Sequence, residues 1–244
     1  GMVDSSSQLT VNMHLTDLSS IGELQMLNGQ NHFAYGVAGR WEIIAARTCE
    51  LQVDGSYILS DLLRGRFGTE THAAQHATGD RLVLLDKNRL TFVAGSLNEI
   101  GSAALYRAQT VGAADQSTVR RDFTYNAVNL QPLAPVWLKA HRNTTTQDWT
   151  LSWVRRTRVG GEWRDNVDAA LGEVAEIYEI DIFAGWQFTT VLFTITGLTS
   201  PTATYTAAQQ MTYHGYNPEV LYFRIYQISA EVGRGKPLQA GITG

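Results

Sequence analysis

The chain has 244 residues, 44% of them hydrophobic and 17% charged, with a formal net charge of -4. That is enough to bury a full core, in one large domain or two ordinary ones. The acidic balance argues against binding nucleic acid through a concentrated basic surface, and the single cysteine, Cys49, excludes an intrachain disulfide framework or a multi-cysteine zinc site. No run has the length needed to cross a bilayer and no signal-peptide pattern occurs, so a soluble product without membrane insertion is expected. Ser, Thr, Asn and Gln stand where charges are usually found, as in extracellular β proteins and in subunits pressed against neighbours. Gly1 ahead of Met2 reads as a scar of tag removal, and a fragment of a larger protein is expected.

In chain order, Leu9, Val11, Met13 and Leu15 alternate as on one face of a half-buried strand. Trp41–Ala46 and Cys49–Val53 continue the pattern; Asp54-Gly55 then predicts a tight type I′ hairpin into Tyr57–Leu59. Arg81–Asp86 reads as a fully buried strand partnered by Leu90–Val93 across Lys87-Asn88-Arg89. Ser96–Glu99 has capping-box spacing, but Gly101 limits it to a turn. Two prolines, Pro132 and Pro135, mark a boundary that divides the chain into domains 1–130 and 131–244. Beyond it, strands are predicted at Trp149–Trp153, Ile177–Ile182, Val191–Ile195 and Val220–Tyr226, spaced as in a β-sandwich. The fold class is therefore all-β.

The second block resembles a fibronectin type III domain through Pro135, Leu151-Ser152-Trp153, Tyr178-Glu179-Ile180, Gly197-Leu198 ahead of Tyr205, and Leu221–Ile225 running into Gly233–Pro237. Leu221 aligns where that family often has a corner tyrosine; a shift of one residue would use Tyr222. The whole chain resembles the C-terminal region of the large, TIM-barrel-containing tail-tip (baseplate hub) protein of gene transfer agents and related phages. Leu59–Glu70, Pro132–Leu138, Trp153–Arg158, Leu171–Glu173 ahead of Glu176–Tyr178, and Gln227–Gly235 carry it. The resemblance implies a virion component, assembled in the bacterial cytoplasm and exposed after release. Its implied role is in tail assembly and host-surface contact. Implied partners are other tail-tip subunits, copies of itself and a host glycan or receptor. No segment of the TIM barrel lies in the chain.

Site chemistry is sparse. His72 and His76 stand four apart near Glu70 and Asp80, but no third ligand has a diagnostic spacing, so no metal is expected. No serine elbow, zinc-protease helix, phosphate loop or paired-carboxylate arrangement occurs, and neither catalysis nor a cofactor is expected. Asp165, Asp168, Glu173 and Glu176 read as a solvated acidic loop. The candidate interaction or stacking residues are Trp153, Arg155, Arg156, Arg158 and Trp163. On a continuing strand the arginines would stack on indole faces; the alternative is a single-stranded nucleic-acid surface. Trp163, Trp186, Tyr213 and Tyr216 keep open a second reading, a carbohydrate- or receptor-binding accessory module of a larger cell-wall hydrolase.

Overall fold

A computed structural model of the protein describes residues 3–14, 16–91, 93–112, 118–160 and 166–244. The chain is all-β and forms two compact units, residues 1–94 and 95–244. That division falls before the proline-flanked junction at 130/131, and residues 95–130 go with the second unit.

The N-terminal unit contains β1 (Leu9–Val11), α1 (Glu23–Leu27), β2 (His32–Gly36), β3 (Glu42–Leu51), β4 (Tyr57–Arg66) and β5 (Arg81–Leu84). The strands form one antiparallel sheet in the order β1-β4-β3-β2-β5. One core cluster gathers Val11, Phe33, Ile44, Ala46, Cys49, Tyr57 and Leu59. A second puts Met26 of α1 on Ala45 and Leu63. Because successive strand residues face opposite ways, β3 can serve both clusters only by being apolar on both sides at its centre, and Ile44-Ala45-Ala46 is. Leu15 and Phe92 lie outside the described residues.

Two local expectations need correction. The β3–β4 connection is a three-residue loop rather than a type I′ turn: Gly55 N–H donates to Gln52 O (3.0 Å), and Gln52 N–H to Ser56 O (2.8 Å). Gly55 has a positive φ of 83°, while Asp54 does not adopt one. The second concerns β5, an edge strand paired with β2 and half exposed. Leu90, Thr91 and Val93 belong to no strand; Asp86 O accepts from Arg89 and Leu90 N–H, and Leu90 and Val93 are exposed.

The second unit begins with a hairpin, β6 (Ala103–Arg107) and β7 (Arg120–Thr124). Next come β8 (Val136–Arg142), β9 (Trp149–Val154), β10 (Tyr178–Phe183), β11 (Val191–Leu198), β12 (Thr202–Tyr205), α2 (Ala207–His214), β13 (Val220–Ser229), β14 (Gly233–Arg234) and β15 (Leu238–Thr243). A three-stranded sheet, β12-β9-β8, faces a second sheet in which β11, β10 and β13 are neighbours and β14 and β15 pair with the far side of β13. This is a fibronectin type III-like β-sandwich. Trp149, Leu151 and Trp153 from one sheet meet Ile180, Ile182, Leu221, Phe223 and Ile225 from the other. Leu221 is fully buried, and Tyr222 lies on the opposite side of its strand, packed edge-to-face with Phe188. The prolines lead directly into this sandwich: Pro132 O accepts from Lys236 N–H at 2.8 Å.

Candidate functional site

Glu42, at the start of β3, has a fully buried side chain in a setting where a lone carboxylate would be costly. Arg64 of β4 meets it as a fork, Nε to Oε1 at 2.8 Å and Nη2 to Oε2 at 2.7 Å. Gly65 N–H adds a bond of 2.7 Å and His76 Nε2 lies 2.6 Å from Oε2. The other ring nitrogen of His76 faces Asp80 at 3.3 Å; Asp80 in turn holds Arg40, and Tyr35 stacks on the imidazole at 3.9 Å. Burial alone would raise the Glu42 pKa, but Arg64, His76 and the Gly65 N–H outweigh it and hold the carboxyl below its ordinary value. Asp80 is lowered to about 2, chiefly by its hydrogen bonds from Arg40. Gly65 is required here: its φ is 59°, and a Cβ would sit 2.7 Å from Glu70 Cα.

This network explains the Leu59–Glu70 motif physically, since Arg64 supplies the charge opposite Glu42 and Gly65 N–H a further hydrogen bond. Every polar atom of the Glu42 carboxylate is spoken for, so the cluster pins strands together. His72 is not part of it and bonds Gln75 Oε1 at 3.0 Å. Among the described residues, no group of three or more His, Cys, Asp or Glu is arranged to hold a metal ion.

The candidate run in the sandwich is arranged differently from the expected strand. β9 ends at Val154, and residues 155–158 leave it. Trp153 is buried in the core, edge-to-face with Tyr178 at 5.2 Å. Arg155 bonds Asp168 Oδ2 and Ala169 O, both at 2.7 Å. Arg156 Nε donates to Ala134 O at 2.6 Å, and Arg158 Nε to Glu173 Oε1 at 3.0 Å. Among the described residues, these arginines make charge-assisted bonds that fasten residues 168–173 and the Pro135 segment to the end of β9. Nor is the acidic stretch simply solvated, because the Glu173 side chain is buried against Arg158 and Glu176 accepts from Tyr178 OH at 2.7 Å. Trp163 and Asp165 lie outside the described residues.

A third cluster was not anticipated. Arg234, between Gly233 and Gly235, forks onto Asp181 (2.6 and 3.0 Å) and reaches Glu179 (2.7 Å). Its guanidinium lies 4.5 Å from the Tyr226 ring centre. Glu179 and Asp181, two apart on β10, gave the only available signal. Of the remaining candidate aromatics, Trp186, Tyr213 and Tyr216 are exposed; Tyr213, in α2, stacks on Phe193 at 4.1 Å, and Tyr216 meets His214 at a steep angle.

Residues 1–83 match the family described as "Rcc01698-like, C-terminal". No curated protein matches the chain. Among solved structures, one described as "Myokine structure" aligns at 14% identity over 46% of this chain and 96% of that one, with a TM-score of 0.29. The FN5 domain of Drosophila Lar aligns at 13% identity over 46% of this chain and 98% of that one, with a TM-score of 0.27.

Proposed function

We propose that this chain is a non-enzymatic structural module of the tail tip of a phage or gene transfer agent, acting in assembly and in host-surface contact. The carrying observation is how the resemblance motifs are used. Arg64 pairs with a buried glutamate that Gly65 N–H also bonds, and Arg155, Arg156 and Arg158 tie loops to the sandwich. Both are architectural tasks. The family match over residues 1–83 includes the Arg64 network.

Deleting the corresponding coding segment from a producing strain should leave filled heads without complete tails. Normal, infective particles from such a strain would refute the proposal. The glycan- or receptor-binding reading draws on Trp186, which is 70% exposed between β10 and β11. Quenching of its fluorescence by host-surface oligosaccharides, lost in Trp186→Ala, would favour that role.

A further inference from the structure

We propose that the β6–β7 hairpin is a docking arm that seats on a second copy of this chain. All ten residues of its two strands are exposed. Among them Leu105 is 68%, Phe123 56% and Tyr106 40% accessible. A two-stranded hairpin without a covering layer is marginal in water. At its base, Gly101 N–H bonds Tyr125 O at 2.8 Å, and beyond that the strands pair with each other from Ala103↔Thr124 to Arg107↔Arg120.

The register sorts the side chains. Ala104, Tyr106, Arg121 and Phe123 share one face, with Tyr106 and Phe123 edge-to-face at 6.1 Å. Leu105, Arg107, Arg120 and Asp122 share the other. Both faces are therefore apolar and basic together, which suits a ribbon inserted between surfaces better than one laid flat on a single surface. Three arginines against one aspartate give the strands a positive balance in a chain whose net charge is -4, so the rest of the molecule is more acidic still. A second copy consequently offers a complementary field. It also offers matching local chemistry: at the end of β3, Leu51 and Val53 are exposed between Glu50 and Asp54. An arm on one surface and its acceptor on another make a head-to-tail contact between copies.

The proposal deepens the assembly reading and rests on it for its biological setting, while its chemistry can be tested apart. Sedimentation velocity on the full chain, from micromolar to near-millimolar concentration, should show reversible self-association that weakens with salt. Phe123→Asp, and separately Arg120→Glu with Arg121→Glu, should each weaken it by about tenfold or more. Because these side chains are exposed, the melting of both units should stay as in the unaltered chain. A chain that is monomeric throughout would overturn the proposal, as would association unchanged in both variants. So would a salt-sensitive complex with a single-stranded oligonucleotide, lost in the arginine variant, in a chain that does not self-associate. If self-association holds but the protein is absent from tails, the arm stands and the assembly reading falls.

Discussion

Glu42 shows how a single position can organise a unit. Its carboxylate is stable inside only because three donors converge on it. Removing its charge strands the Arg64 guanidinium beside a neutral amide, so Glu42→Gln should cost the N-terminal unit about 3 kcal/mol in urea unfolding. A loss too small to measure would mean the network is ornamental. Cys49 makes a contrasting case. Burial pushes its thiol up to about 11, and it should resist thiol reagents until the chain unfolds; rapid labelling of the native protein would contradict the described packing. Cys49 could be read from its strand-like neighbours as a small buried hydrophobe. The Glu42 network could not, because Arg40, Glu42, Arg64, His76 and Asp80 are spread along the sequence and meet only once β2, β3 and β4 are in register. The visible spacing, His72 to His76, pointed to residues that the fold gives separate partners.

Among the elements, the hydrophobic pattern located most strands of the N-terminal unit and β9, β10, β11 and β13 of the second, because one buried face imposes a period of two. It misjudged the burial of β5 and missed the fully exposed β6 and β7 and the helix α2. α2 carries its own start signal: Thr206 Oγ1 accepts from Gln209 N–H, and Gln209 Oε1 accepts from Thr206 N–H, with Gly215 at φ 78° closing the last turn. The Thr206-to-Gln209 spacing and Gly215 were legible in the sequence; the surrounding strand pattern masked them. Thr206→Ala should cost about 1 kcal/mol, read from the thermal unfolding of the sandwich. Strands β3 and β4 should also respond to acid. Glu42 and Asp80 have depressed pKa values, Asp80 to about 2, so the stability they give is present above the ordinary carboxylate range of about 4 and is lost as pH falls below it. Protection of β3 and β4 amides, taken relative to the unprotected exchange rate at each pH, should fall between about pH 4 and 2, and less steeply in Asp80→Asn. Equal slopes in the two proteins would remove Asp80 from the account.

At the scale of the molecule, two prolines suggested a boundary that the packing places elsewhere. Residues 132–135 are bound into the sandwich through Pro132 O and Ala134 O, which protects Gln131 from a protease. The exposed stretch from Ser96 to Gly112 offers easier targets, so limited proteolysis should cut there first and release a sandwich core that begins near residue 130. Initial cleavage at Gln131 would restore the sequence-based boundary. Among the described residues, Glu42, Asp181 and Glu173 each hold strands or loops in place, and that pattern underlies the proposal of an architectural role. The most direct test is immunogold electron microscopy of purified particles with antibody raised against this chain. Gold confined to the distal end of the tail is the predicted result; particles that carry no label, or carry it only on the head, would contradict the account.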